Sequence, residues 1–289
     1  MSNDQPTTGD RKAARLRDVA RNKKINTSAF ALRVAQAGAL RRIVAAMPER
    51  IVLKGGQLQI VAHGDAARPT ADIDLHSRET SEAIGQALRA ALATDAGDDI
   101  RFDVSRVENL AISEDDAGTR LHVVGWIGPI RSNFHLDIAS AGPCDAVEWR
   151  PYPPLMKGDE PFEVPCQPWR SVAADKVHAV VEKGMSNTRV RDYLDLARLI
   201  PQLDTDEVAA EIVANFGGRG TALPAGPVDG LSPAFGAVAQ VHWERWVERT
   251  GITGVPGVFA HLVAEVGPWI EDVLERARYL APKTGRAFR

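Results

Sequence analysis

Two aspartates one residue apart, Asp72 and Asp74, sit inside the stretch RPTADIDLH, residues 68–76. On a strand, positions i and i+2 project from the same face about 6.5–7 Å apart. Two like charges on one face repel, and each resists leaving water. A divalent cation between them offsets both penalties, while Ile73 and Leu75 point the other way, into a core. Mg²⁺ suits such a place, because it takes one or two carboxylates and completes its shell with phosphate oxygens. A third acid lies in NFHLDIAS, where Phe134, Leu136 and Ile138 alternate with His135, Asp137 and Ala139. If that strand neighbours the first, three carboxylates meet, the minimum for nucleotidyl transfer with two metals about 3.5–4 Å apart. Taken alone, an Asp-x-Asp pair also caps loops or sits on a surface, and His135 reads as a hydrogen-bonded strand histidine before it reads as a metal neighbour.

Upstream, LKGG places Gly55 and Gly56 after a short strand and before a helical turn. Without side chains they let backbone approach a phosphate, and N–H groups at a helix start favour an anion. A lone Gly-Gly is most often a tight turn; strand, Gly-Gly, helix and Arg-x-Thr-x-Asp-x-Asp in that order is much more specific. Farther on, AADKVHAVVEK carries Lys176, and TRVRDYLDLARL carries Asp192 and Asp195. Arg189 with Asp192, and Arg191 with Asp195, also have the spacing of plain surface ion pairs on a helix.

The elements that must position these residues follow from periodicity. A strand at RIVLKGG, a helical turn at QLQIVAHG and a strand at RPTADIDLH are followed by an amphipathic helix opened by Ser81. Strands RFDVSRVENLAI, TRLHVVGWIG and SNFHLDIAS come next, the last two joined as a hairpin at Gly128-Pro129. Before them, a basic helix carries seven Lys and Arg between Arg11 and Lys24 against Asp18. It reads as a solvated face or as a handle for nucleic acid. The helix after it is capped by Thr27 or Ser28 and buries Phe30, Val34 and Leu40. Residues 1–10 read as disordered. The Pro-rich stretch 143–168 reads as an extended connector, and five helical segments follow it. GGRGTALPAGPVDG, residues 217–230, reads as a connector or a mobile loop. The expected fold is α+β and bilobed: a polar, basic segment 1–24, an α/β domain with a mixed sheet over 25–155, and an α-helical domain over 156–289.

The 289 residues carry a formal charge of −3 and 44% hydrophobic residues, which is ordinary globular composition with no global nucleic-acid signature. Cys144 and Cys166 lack metal-ligand spacing and read as reduced thiols. No secretory signal and no bilayer-length apolar run is visible, so a soluble cytoplasmic protein is expected.

KGG (54–56), RPTADIDL (68–75), the isolated strand acid Asp137, the Lys176 helix and the Arg-Asp helix together resemble the DNA polymerase β-like nucleotidyltransferase superfamily. More narrowly they resemble the AbiEii/AbiGii branch, which includes the MenT-like toxins, over roughly residues 25–200. The resemblance implies that Gly55 and Gly56 face a triphosphate, with Lys54, Arg68 and Arg189 among the nucleotide-binding residues. It implies that Asp72, Asp74 and Asp137 hold Mg²⁺, and that Thr70 touches phosphate or supports the metal. Lys176 would reach the triphosphate, and Asp192 or Asp195 would orient it. The family's arginine about two turns after the lysine has no counterpart here, since that helix ends VVEKG and the next arginine is Arg189. The implied activity is transfer of NMP from an NTP to RNA, at the tRNA 3′ end, by a toxin neutralised by an antitoxin. Two other readings stay open: a small-molecule or protein hydroxyl as acceptor, and a nucleotide-binding regulator without catalysis.

Overall fold

The structure is a computed structural model that describes residues 7–111, 117–139 and 147–281. These divide into two compact units that meet in sequence at Gln167 and Pro168. Cys144 and residues 1–6 lie outside the described residues.

The first unit is a seven-stranded mixed sheet with helices. Two helices lead, α1 (Thr8–Asn22) and α2 (Thr27–Ala46), followed by β1 (Val52–Lys54), α3 (Gly55–His63), β2 (Asp72–His76) and α4 (Ser81–Ala93). Then come β3 (Ile100–Ala111), β4 (Ala117–Ile127), β5 (Ile130–Ala139), β6 (Glu148–Tyr152) and β7 (Phe162–Cys166). The sheet order is β3-β4-β5-β2-β1-β7-β6. β3, β4 and β5 form an antiparallel meander, β2 lies parallel to β5, and β1 runs antiparallel to β2. Along β4 and β5 the residues Leu121, Val123, Phe134, Leu136 and Ile138 are buried, together with Ile73 and Leu75 of β2. A Cβ at Gly125 would touch Ala35, so this buried face is the one turned to α2. Period-two alternation thus sends apolar residues to the helices and Asp72, Asp74, Arg120, His122, His135 and Asp137 to the opposite face.

Several local readings differ from the sequence-based expectation. Residues 7–10 are ordered, because Thr7 and Asp10 form a capping box: Thr7 Oγ1 accepts from the Asp10 amide at 3.1 Å, and Asp10 Oδ2 accepts from the Thr7 amide at 3.0 Å. The cap of α2 is Asn26, whose Oδ1 accepts from the amides of Ser28 at 2.9 Å and Ala29 at 3.1 Å; Thr27 and Ser28 are already helical. Ser81 opens α4 as expected, and the preceding Thr80 caps it, its side chain accepting from the Ala83 amide at 3.4 Å. The Pro-rich stretch is more than a connector, since it contributes strands β6 and β7. Pro151 lies in the edge strand β6, where a missing amide is tolerated.

The basic helix α1 is amphipathic, burying Ala13, Leu16 and Ala20 and exposing Arg11, Arg15, Arg17 and Arg21. Lys12 turns inward, its Nζ donating to the Asp98 carbonyl at 2.5 Å. Beside it, Arg42 of α2 donates to Asp98 Oδ2 at 2.8 Å and Oδ1 at 2.6 Å, and also to the carbonyls of Gly38, Thr94 and Ile100. This network ties α2 to the α4–β3 connection. Cys166 is buried, and burial pushes its thiol up to about 12.

The second unit is helical: α5 (Trp169–Lys183), α6 (Arg191–Leu199), α7 (Thr205–Gly218), α8 (Pro233–Thr250) and α9 (Phe259–Leu280). Its core includes Tyr193, Phe216, Phe235, Trp243 and Phe259. The Gly/Pro-rich stretch joins α7 to α8, and Tyr193 Oη donates to the Gly230 carbonyl near its end at 2.7 Å. Among the described residues no helix is long and apolar enough to cross a membrane.

Burial alone would raise the Asp98 carboxyl, but its bonds to Arg42 outweigh this and hold it below the ordinary aspartate value. A depressed folded-state pKa stabilises at pH above the ordinary carboxylate range, and that stability is lost as pH falls through the depressed value. Urea denaturation should therefore show Asp98→Asn destabilised by about 3 kcal/mol at neutral pH, because Arg42 is left buried and half-paired. The variant's stability should also fall less steeply than the native protein's below about pH 4. Equal stability at neutral pH would show that the pair contributes nothing.

Candidate active site

The parallel pairing of β2 with β5 sets Asp72 opposite His135 and Asp74 opposite Asp137. Neighbouring strands lie about 4.8 Å apart, so Asp74 and Asp137 project side by side from one face. On the other flank, Asp74 pairs with Lys54 at the end of β1. The three acids that the sequence separates by up to 65 positions are therefore adjacent, because the register that buries Ile73 and Leu75 beside Leu136 and Ile138 leaves no other choice.

Each acid has its own compensation. Asp137 receives both arms of Arg120, from β4: Nε to Oδ1 at 2.7 Å and Nη2 to Oδ2 at 2.6 Å. This fork raises the Arg120 pKa above its usual value. Asp72 Oδ1 lies 3.1 Å from His135 Nδ1. Asp74 meets the start of α3, where the Gly56 amide donates to its Oδ2 at 3.3 Å. Lys54, the cap residue of α3, makes no side-chain cap bond. Asp74 thus acts as an acidic cap supplied by another strand, where the helix dipole favours negative charge. Desolvation nonetheless raises its pKa, and the charges of Asp137 and Asp72 add to this, while the Gly56 bond and Arg68 pull the other way.

Both glycines are required by close approaches, each to a different side chain. Gly55 has φ +62°, and a Cβ there would fall inside the Asp74 carboxylate. A Cβ at Gly56 would fall inside the Thr70 hydroxyl. Thr70 Oγ1 in turn donates to the Asp72 carbonyl at 3.2 Å, and Arg68 is buried at the start of the same segment. Lys54, Gly55, Gly56, Arg68, Thr70, Asp72, Asp74 and Asp137 all belong to the first unit.

The remaining expected residues form a second cluster, within the helical unit. Lys176 Nζ of α5 donates to Asp192 Oδ1 at 2.7 Å and to Asp195 Oδ2 at 2.8 Å, both on α6. Arg189 Nε donates to the other oxygen of Asp192 at 2.6 Å. Lys176, Asp192 and Asp195 are 6%, 5% and 0% exposed, so this is a buried, charge-matched network rather than a solvated lysine and surface pairs.

The acid trio of the first unit offers only oxygen donors, gathered on one face with Asp74 held against its own charge, and that chemistry suits a hard divalent cation. Among the described residues no three His, Cys, Asp or Glu side chains already stand in metal-holding geometry; Asp137 is turned onto Arg120.

Over residues 38–260 the sequence matches the family described as nucleotidyl transferase AbiEii toxin, type IV toxin–antitoxin system. The chain belongs to the AbiEii family. As an AbiEii protein it is a nucleotidyltransferase-type toxin, and membership implies a nucleotide substrate and an antitoxin partner. No curated protein matches the sequence. Among solved structures, JHP933 from Helicobacter pylori is similar at 12% identity, over 84% of this chain and 92% of that one, with TM-score 0.49. A second H. pylori chain, described as a candidate nucleotidyltransferase, is similar at 13% identity over 84% and 95%, also with TM-score 0.49.

Crowding at Asp74 has a stability consequence. Asp74→Asn removes a charge but keeps an oxygen for the Gly56 amide, so thermal unfolding without divalent cations should move up by a few degrees. Gly55→Ala should move it down by more than that, since its φ is positive and its Cβ has no room. An unfolding temperature for Asp74→Asn at or below the native value would contradict the electrostatic reading.

Proposed function

We propose that this AbiEii protein is a cytoplasmic, Mg²⁺-dependent enzyme that transfers NMP from an NTP to an RNA hydroxyl, the tRNA 3′ end, and so stops translation. The observation that carries the proposal is the register placing Asp74 beside Asp137, under the glycine-started helix α3. Asp72, Asp74 and Asp137 would hold the cation, which when bound neutralises triphosphate charge and polarises the reacting phosphate. The α3 amides and Lys54 then offer positive ends to phosphate oxygens. The acceptor hydroxyl oxygen bonds to the α-phosphorus, the bond to pyrophosphate breaks, and the hydroxyl proton passes to a carboxylate of the trio. Arg120 holds Asp137 in place and offsets its charge until the nucleotide arrives. Within the helical unit, Asp192 and Asp195 hold the Lys176 ammonium, and Arg189 balances the second oxygen of Asp192.

An RNA acceptor is supported by the toxin family and by the arginines that α1 exposes. Incubating the protein with labelled NTPs, Mg²⁺ and total RNA should label RNA with at least one NTP. EDTA should stop the reaction, and Asp72→Ala or Asp137→Ala should lower the rate at least about 100-fold while the fold is retained. Failure to label RNA with any of the four NTPs would overturn the RNA reading.

A further inference from the structure

The sheet face that carries the acids continues past them across β5, β4 and β3. The two rows nearest the site are filled by charged and imidazole side chains: Asp74, Asp137, Arg120 and Glu108 in one, Asp72, His135, His122 and Arg106 in the next. Glu108 is engaged in these rows, bonded to Arg106 at 2.7 Å and to His122 at 3.3 Å. Two positions farther comes Asp103, Val124 and Asn133, and after it Arg101, Trp126 and Arg131.

This last row differs from the others because it holds an aromatic ring, two arginines and no acid. The Arg101 guanidinium stacks over the Trp126 ring, 4.6 Å from its centre. Both arginines are exposed and Trp126 is half-buried. A cavity of about 530 Å³ opens beside the stack, lined among others by Arg101, Trp126, Thr94, Asp95, Asp99 and Gly128. No catalytic role touches these residues, and a packed core does not need an arginine–tryptophan stack at an exposed strand end.

We propose that the Arg101–Trp126–Arg131 row is a docking platform for the unpaired segment of the acceptor RNA. The inference rests on the RNA-transfer reading and specifies where the acceptor lies. Trp126 lies six positions along β4 from Arg120, about 20 Å of extended strand. A single strand whose 3′ hydroxyl sits at the acids reaches this row within a few nucleotides. Every base has a face that stacks on an indole or a guanidinium plane, so the platform accepts any base. Arg131 and Arg101 supply the positive charge that phosphates between those bases require. The occupant is thus single-stranded RNA rather than duplex, whose bases are stacked on one another and offer no free face to the indole.

The test is equilibrium binding of a short single-stranded RNA to full-length Asp72→Ala protein, without NTP, so that turnover plays no part. Adding Trp126→Ala should weaken binding about tenfold, Trp126→Phe should keep most of it, and the matching duplex should bind more weakly than the single strand. Arg131→Ala, an exposed change that leaves the core intact, should weaken binding and lower the slope of log affinity against log salt by about 0.7. The platform is overturned if the single strand does not bind, if Trp126→Ala and Arg131→Ala bind as tightly as the parent, or if duplex binds equally well. RNA labelling by native protein with binding indifferent to Trp126 would sink the platform alone. Trp126-dependent binding without labelling of any RNA would sink the transfer reading alone.

Discussion

Placing Asp74 beside Asp137 on neighbouring parallel strands is the constraint on which the rest of the first unit turns. The cost is electrostatic: carboxylates about one strand spacing apart, one of them with a raised pKa. The arrangement is held by the other face of the same strands, where Ile73, Leu75, Leu136 and Ile138 are essentially unexposed. A slip of one residue would turn that apolar set to the solvent side. Hydrophobic burial therefore fixes the acids where electrostatics would separate them.

The surroundings make the crowding bearable without abolishing it. A helix N-terminus meets Asp74, a guanidinium fork meets Asp137, and an imidazole meets Asp72. The first of these needs a backbone with no Cβ, which explains Gly55 by its contact with Asp74 rather than by nucleotide contact alone. Arg120 does for Asp137 what a cation would do for all three. The family's chemistry and the local physics converge at this point: a site with unrelieved like charge is one that a divalent cation stabilises.

Much of this was readable in the sequence. Alternation in DIDL and NFHLDIA identified the shared polar face, and the Gly128-Pro129 turn identified the β4–β5 hairpin. That hairpin also contained the information for Arg120: counting back from Ile127 opposite Ile130 puts Arg120 opposite Asp137. The arginine belongs to no motif and is recognisable only through pairing. The burial of Lys176 was hidden for a different reason. Helical spacing shows that Asp192 and Asp195 share a face of α6, but not that this face meets α5. Strands β6 and β7 were masked by their prolines, which edge positions and sparse pairing with β1 tolerate.

The most direct test of the central claim is a crystal structure of the protein soaked with Mn²⁺ and a non-hydrolysable NTP, read by the anomalous signal of manganese. The account predicts a metal peak bound by Asp72, Asp74 and Asp137, with Arg120 shifted from its two-armed grip on Asp137. A nucleotide-bound structure with the manganese elsewhere, and the Arg120 fork on Asp137 unchanged, would contradict it.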